Sequence, residues 1–229
     1  MTRLSIILPV LDEASAIGAR LGALQALRAH GAELVVVDGG SQDGTLACCA
    51  GLADQVRVAA RGRARQMNAG AAASSGDVLL FLHADTELPP QAFESIIAAI
   101  DDGAQWGRFD VRIDGAHPML RVIERMMNWR SRLTGIATGD QAIFLRRDVF
   151  ERIGGYEDIS LMEDIRLSAR LKRESAPACL AASVTTSARR WEKHGIWRTM
   201  LLMWRLRAAH FFGANPENLA RQYGYRGDS

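Results

Sequence analysis

The chain has 229 residues, 24% of them charged and 48% hydrophobic, with a formal net charge of +2. That is a soluble globular composition with room for a substantial core, and the near-neutral balance argues against a nucleic-acid partner. Cys48, Cys49 and Cys179 are the three cysteines and include no CxxC spacing, which argues against a disulfide framework or zinc cluster and fits a reducing cytosol.

The apolar run Leu4–Leu11 is short, broken by Pro9 and followed by acids. It reads as a strand over Leu4–Val10, not as a signal peptide. A helix is expected near Ser15–His30, with Gly31 as its stop signal. Strand Leu34–Val37 runs into the turn Asp38-Gly39-Gly40-Ser41, and a helix follows near Thr45–Leu52. The short strand Gln55–Val58 precedes the basic loop Arg61-Gly62-Arg63. Helix Ala64–Ser74 stops near Ser75-Gly76-Asp77, and strand Val78–Leu82 completes the half. This alternation predicts an α/β fold, a mostly parallel sheet with helices on both faces.

The second half is less regular. Pro89 opens a helix ending near Ile100, Trp106–Ile113 is strand-like, and Pro118 precedes a long helix, Met119–Leu133. Ala142–Leu145 reads as a strand and Arg147–Ile153 as a short helix ended by Gly154-Gly155. Glu163–Arg173 reads as a helix, Ser183–Ser187 as extended, and the chain from His194 as a helical tail. Nowhere do about 18 apolar residues run together, so no transmembrane helix is expected. On a helix over Ile196–Phe212, Trp197, Met200, Leu201, Trp204, Ala208 and Phe211 share one side. Arg198 and Arg205 fall opposite, and Arg207 intrudes into the apolar arc. Such a face calls for cover by the chain's own domain, by a second copy in a homodimer, or by an anionic lipid surface met peripherally.

In an open α/β sheet, ligands bind at the carboxyl ends of strands. The run Phe81-Leu82-His83-Ala84-Asp85-Thr86 puts a carboxylate at one such end. Asp85 is a candidate ligand for Mg²⁺, which takes one or two carboxylates plus substrate phosphates and water. His83 points the same way if the strand continues; the alternative is a turn or cap. After the first strand comes Pro9-Val10-Leu11-Asp12-Glu13 and no Gly-x-Gly-x-x-Gly, which argues against a dinucleotide Rossmann site. Asp12, Glu13 and Asp38 can still accept from a base or a ribose. The plainer alternative is that Asp12 caps a helix and Asp38 fixes a glycine turn.

Arg61, Arg63 and Arg65 bring three cations to one loop and helix start, with Asn68 one turn after Arg65 on the same face. Guanidinium forks suit phosphate; a solvated basic loop is the alternative. Glu163 and Asp164 precede a helical segment, and a helix start favours ionised carboxylates. An ionised Asp held close to an alcohol is a usable general base, against the alternative of an ordinary acidic first turn. Asp140 sits on a loop facing the cleft or bonds its own turn. Arg190 and Trp191 either close over a diphosphate or stack as surface structure.

Taken in order, these segments resemble glycosyltransferase family 2, with the GT-A fold. The carriers run from Ile7-Leu8-Pro9-Val10-Leu11-Asp12-Glu13 through Val37-Asp38-Gly39-Gly40-Ser41-Gln42-Asp43-Gly44-Thr45 and Phe81-Leu82-His83-Ala84-Asp85-Thr86. They continue through Gly139-Asp140-Gln141-Ala142-Ile143-Phe144, Gly154-Gly155-Tyr156 and Met162-Glu163-Asp164 to Ser187-Ala188-Arg189-Arg190-Trp191. The Leu-His-Ala-Asp-Thr form and the Ser-Ala-Arg-Arg-Trp ending are similar to a short bacterial subgroup associated with radical-SAM and selenium-related proteins.

The resemblance implies a GT-A catalytic domain over 1–193, with a nucleotide-binding half (1–100) and an acceptor half (101–193), and a helical C-terminal tail over 194–229. It implies inverting transfer from a nucleoside diphosphate sugar to a hydroxyl acceptor, which is lipid-linked if the tail meets the inner face of a membrane. Pro9, Asp12, Glu13, Asp38, Arg65 and Asn68 would serve the nucleotide, and Arg190 and Trp191 the diphosphate. Asp85, with His83, would hold Mg²⁺ or Mn²⁺, Asp164 would be the base, and Asp140 and Glu163 would lie on the acceptor side. Two departures stand out: His83 replaces the first Asp of Asp-x-Asp, and Ser187 replaces the Gln of Gln-x-x-Arg-Trp. A nucleotidyltransferase is the competing enzyme class, although it would want a Gly-rich basic loop where Leu11-Asp12-Glu13 stands. A non-catalytic nucleotide-sugar-binding module is kept open by His83 and opposed by Asp164 and the arginines.

Overall fold

The computed structural model describes residues 2–224. In chain order its strands are β1 (Leu4–Val10), β2 (Glu33–Asp38), β3 (Gln55–Val58), β4 (Val78–Phe81), β5 (Thr86–Glu87), β6 (Trp106–Asp114), β7 (Phe144–Arg146) and β8 (Ala178–Ser187). The helices are α1 (Ile17–Ala23), α2 (Gln25–Ala29), α3 (Thr45–Cys48), α4 (Arg63–Ala73), α5 (Ala92–Asp101), α6 (Pro118–Thr134), α7 (Arg147–Arg152), α8 (Glu163–Glu174), α9 (Arg189–His194), α10 (Ile196–Phe211) and α11 (Pro216–Tyr223), with a 3₁₀ turn at Gly139–Gln141.

The strands form one sheet in the order β3-β2-β1-β4-β7-β6-β8-β5. The pairs β1–β2, β2–β3, β1–β4 and β6–β8 are parallel; β4–β7, β6–β7 and β5–β8 are antiparallel. The chain winds outward through β1, β2 and β3, then crosses back to lay β4 on the other side of β1. Such a reversal opens a crevice at the carboxyl ends of the two strands where it occurs.

All seven residues of β1 are buried, because both faces of the strand are covered. Leu4, Ile6, Leu8 and Val10 pack with Ile17, Leu21 and Ile96 on one face. Ile7 packs with Ala64, Met67 and Ala71 of α4 on the other. Close approach there requires glycine: a Cβ on Gly70 would come within 2.4 Å of Ile7 Cγ2. The far end of α4 is held by Arg147, which donates to the carbonyls of Gly76 (2.6 Å) and Ala71 (2.8 Å) and to Ser74 Oγ (2.9 Å). Carbonyls left over at a helix end need such partners.

Several boundaries differ from expectation. The helix expected over Ser15–His30 starts at Ile17 and breaks at Leu24, where Gly18 and Gly22 weaken the span. The helix near Thr45 stops at Cys48. The strand expected from Ala142 starts at Phe144, since Ala142 is left-handed with φ 47°. Strand β8 begins at Ala178 rather than Ser183, drawn along β6 by parallel pairing. Arg189-Arg190-Trp191 opens helix α9.

The tail packs on the chain's own domain, but of the expected side only Met200 joins a core cluster. Leu206 of α10 and Leu219 and Ala220 of α11 are buried with Leu161 and Met162, whereas Trp197, Leu201, Trp204 and Phe211 stay exposed. Residues 225–229 of the expected tail lie outside the described residues. Among those described, no helix is long and apolar enough to cross a membrane.

Candidate active site

A cleft of about 580 Å³ lies over the ends of β1 and β4, bounded by the start of α4, the loop before α8, and α11. That volume suits a nucleotide-sized ligand. Among the described residues, three that are not glycine have left-handed backbones: Asp12 (φ 52°), Ala142 (φ 47°) and Met162 (φ 69°). They sit just after β1, just after the Gly139–Gln141 turn, and just before Glu163. Each such residue costs about 1–3 kcal/mol, and strain of this kind clusters at functional sites.

On the nucleoside side, Pro9 and Glu13 line the cleft. Asp38 does not reach it: its carboxylate accepts from the N–H groups of Gly40 and Ser41 (2.9 Å each) and from the Ser41 hydroxyl, and it is 1% exposed. The plainer expectation for Asp38, a fixed glycine turn, is the one seen. Asp12 bridges to the same loop, accepting from Gln42 N–H (2.8 Å), while its own N–H donates to Ser41 Oγ (2.9 Å). Sequence reasoning passed over Gln66, a buried amide that donates to the carbonyls of Val10 and Val37 (2.8 Å each) and ties the two strand ends together. A lone glutamine in a helix of small residues carries no signal of that role.

On the diphosphate side, the arginines sort differently from expectation. Arg65 also lines the cleft, but it is half-exposed and paired to Asp158 at 2.9 Å. Arg63, the first residue of α4, lines the cleft, and its charge acts on Glu13, Asp140 and Glu163. Asn68 is corrected to a clamp: its amide donates to Tyr156 O (2.8 Å) and accepts from Tyr156 N–H (2.9 Å). Arg190 and Trp191 do not line the cleft either, because α9 turns them away. Arg190 donates to the Tyr223 carbonyl (2.6 Å) and lies 3.4 Å from the Tyr223 ring centroid. Trp191 packs with Ile113, Leu120 and Ile123. The effect is to fasten α11, whose Glu217, Ala220 and Arg221 wall the cleft. Arg63→Gln should therefore weaken nucleoside diphosphate binding about tenfold or more, and Arg65→Gln far less. Titration calorimetry on both variants checks this, and equal losses would return the role to Arg65.

Asp85 is exposed at the end of β4 and lines the cleft together with Glu13. Burial, then the charge of Asp85, raise the Glu13 carboxyl above its ordinary range, while Arg189 and Arg63 pull it back. Two carboxylates thus face one cleft in mutual repulsion, which a cation would relieve. His83 lines the same cleft as Asp85, but its ring is also engaged with Asp140. It is 8% exposed, with Nδ1 3.4 Å from Asp140 Oδ1. Its ring lies so close over Gly139 that a Cβ there would come within 2.2 Å of it. Among the described residues, no three His, Cys, Asp or Glu side chains cluster as a ready metal cage.

On the acceptor side, Asp164 Oδ2 accepts from Gly139 N–H (2.6 Å) and Oδ1 from Ile165 N–H (2.7 Å). The start of α8 is thereby pinned to the Gly139–Gln141 turn. Burial would raise the Asp140 carboxyl, but the hydrogen bond and charge of His83 outweigh it and hold it below the usual range. Sequence reasoning missed Arg130 and gave Arg207 only a place in the apolar arc of the tail. Burial, then Arg207, lower Arg130 to about 10, and Asp164 opposes them. Buried N–H groups of both guanidiniums lack a hydrogen-bond partner.

Glu163 is 5% exposed, and burial, then Asp164, push its carboxyl up to about 6. Its protonated form is favoured in the folded state. The associated stability is fully present below 4.5 and lost as pH rises through about 6. Glu163→Gln should thus match wild type near pH 4.5 and exceed it by up to about 2 kcal/mol at pH 8. Urea unfolding at both pH values reads this directly; a pH-independent difference would contradict it.

The family model described as glycosyl transferase family 2 matches residues 5–154. No curated protein matches the chain in sequence. Solved structures do match in fold. TarS 1–349 of S. aureus in complex with UDP-GlcNAc has a TM-score of 0.66 at 16% identity, over 81% of this chain and 58% of that one. The mannosyltransferase PcManGT of Pyrobaculum calidifontis, in complex with GDP-Man and Mn²⁺, has 0.65 at 20% identity, over 98% and 69%. Glucosyl-3-phosphoglycerate synthase of Mycobacterium tuberculosis, in complex with Mn²⁺, UDP and phosphoglyceric acid, has 0.61 at 17%, over 81% and 69%. The chain spans about three-fifths of the length of the TarS 1–349 chain. The matched stretch contains both strand ends that floor the cleft, the start of α4 and the Gly139 turn, and covers well over half of the sequence: the chain belongs to glycosyl transferase family 2.

Proposed function

We propose that the protein is an inverting glycosyltransferase that moves a sugar from a nucleoside diphosphate sugar to a hydroxyl acceptor. The observation that carries this reading is Asp164, fixed at the start of α8 through Gly139 N–H, behind the His83 ring, which lines a cleft that also offers Arg63, Glu13 and Asp85. The donor would lie along the ends of β1 and β4, its diphosphate toward Arg63. Asp164 would take the acceptor hydroxyl proton as that oxygen bonds to the anomeric carbon. The bond from that carbon to the diphosphate oxygen breaks on the opposite face, and its electron pair leaves with the diphosphate. Arg63 would offset the growing charge. His83 and Asp140 would hold the Gly139 turn, and with it the position of Asp164.

Asp85 and Glu13 fit a divalent cation, Mg²⁺ or Mn²⁺: two hard carboxylates in one cleft, with substrate phosphates to complete the shell. Bound there, the ion would supply positive charge to the leaving diphosphate. The UDP-GlcNAc and GDP-Man complexes of TarS and PcManGT support a nucleotide-sugar donor, which would place the reaction in the cytoplasm. The test is a panel of nucleotide sugars with Mn²⁺ or Mg²⁺, with and without chelator. Metal-dependent release of nucleoside diphosphate supports transfer. Release of pyrophosphate would make the protein a nucleotidyltransferase, and tight binding without turnover a sensor.

A further inference from the structure

Among the described residues, nine of the twelve large apolar side chains left exposed lie on α6 or α10 or at the end of α10. On α6 they are Val122, Met126, Trp129 and Leu133, and on α10 Trp197, Leu201, Trp204 and Phe211. At about 100° per residue, each set forms one stripe along its helix. The two helices are neighbours: Met119, Ile123 and Met127 of α6 share a cluster with Ile196 and Met200 of α10. On each helix the exposed stripe is the row next to the residues it gives to that cluster, which brings the two stripes to one region of the surface. Isolated exposed apolar residues are ordinary; a contiguous patch of this make-up marks an interaction site.

The charges of the same helices identify the partner. Together α6 and α10 carry seven arginines against one acid, Glu124; Arg121 and Arg132 pair with Glu124 and Asp110, Arg130 and Arg207 face inward, and Arg125, Arg198 and Arg205 are left exposed as a net positive charge. A second copy would bring the same excess of positive charge against itself. An anionic surface with an apolar interior answers both features, and tryptophans at such a boundary keep an apolar ring in and a polar edge out.

We propose that the α6–α10 face is a docking surface for an anionic lipid bilayer, on which the protein lies without spanning it. The stripes enter the acyl boundary, and the exposed Arg125 and Arg198, which on the folded helices flank the stripes rather than stand opposite them, reach the headgroups. On their inner sides the helices carry Arg130 and Arg207, whose charges reach Asp164 and Asp140. Docking therefore sets the acceptor wall of the cleft behind the membrane-bound face.

The test is co-sedimentation of the full chain with vesicles of phosphatidylcholine, with and without phosphatidylglycerol. Wild type should pellet with the anionic vesicles, less so as salt rises, with a blue shift of tryptophan fluorescence. The triple variant W129S/W197S/W204S changes only exposed side chains and should keep its thermal midpoint. Its partition should fall about tenfold or more. R125Q/R198Q should lose the salt-dependent part of binding. Wild type remaining in the supernatant, or a triple variant pelleting like wild type, would overturn the proposal. So would a dimer in sedimentation velocity that the same tryptophan substitutions abolish, since the face would then belong to a second copy.

Discussion

Asp164→Asn should lower turnover by about 10²–10⁴-fold, the usual worth of a general base, while donor affinity stays close to wild type. The groups proposed to meet the donor, Arg63, Glu13 and Asp85, lie on α4 and after the ends of β1 and β4, whereas Asp164 is on α8, joined to the Gly139 turn. The substitution keeps the shape and removes the proton acceptor. It also carries a local structural cost. Both carboxylate oxygens accept backbone N–H groups, from Gly139 and Ile165. An amide can accept only one of the two and sets its own N–H₂ against the other, a loss of about 1–3 kcal/mol. Turnover, donor affinity and unfolding midpoint must therefore be read together. A large fall in turnover with a modest fall in stability and unchanged donor affinity is the signature of a base. Near wild-type turnover would remove Asp164 from the mechanism, and donor affinity lost in parallel with stability would make it a structural cap.

The fold was legible wherever a single element carried its own signal. Strands β1 and β4 are mostly apolar, with Ser5 the polar exception in β1, because helices cover both faces, and both are followed by polar residues where the chain leaves the core. Asp85 and Glu13 could be placed in the cleft from those endings alone. Contacts made far along the chain were not legible. The bond from Gly139 to Asp164 spans 25 residues and the Asn68–Tyr156 clamp 88, and neither leaves a trace in local periodicity. Asn68 and Asp38 were misread because an amide or carboxylate next to glycines looks the same whether it serves a ligand or the backbone. Arg190 and Trp191 were misread because α9 rotates them away from the strand they follow. Arg63 was singled out with its neighbours, but only the helix start distinguishes it from Arg65, which is half-exposed and paired to Asp158. The tail was read as an amphipathic helix with one apolar side. It has two, and the leucines at Leu202 and Leu206 took the core.

Asp85→Ala should abolish the metal-dependent part of nucleoside diphosphate binding. In wild type, Mn²⁺ and the diphosphate should strengthen each other about 5–150-fold, the ordinary range for two coupled ligands, since each supplies charge the other needs. Asp85 is exposed at the end of β4 and is bonded to little besides Thr86, at 3.5 Å, so its loss should leave the fold intact. Burial is the first cause of the raised Glu13 carboxyl and Asp85 the second. Removing Asp85 should therefore lower that carboxyl only partway toward its ordinary range. Glu13 would then be the one cleft carboxylate of the pair left for the cation, and a single hard ligand holds Mg²⁺ or Mn²⁺ weakly. Binding of the nucleoside alone, without phosphates, should not change. Calorimetry of nucleoside diphosphate and nucleoside, each with and without Mn²⁺, on wild type and Asp85→Ala gives the full comparison. The same Mn²⁺ enhancement in both proteins would assign the cation to other groups, and nucleoside affinity lost in the variant would mean that Asp85 shapes the cleft and does not hold the metal.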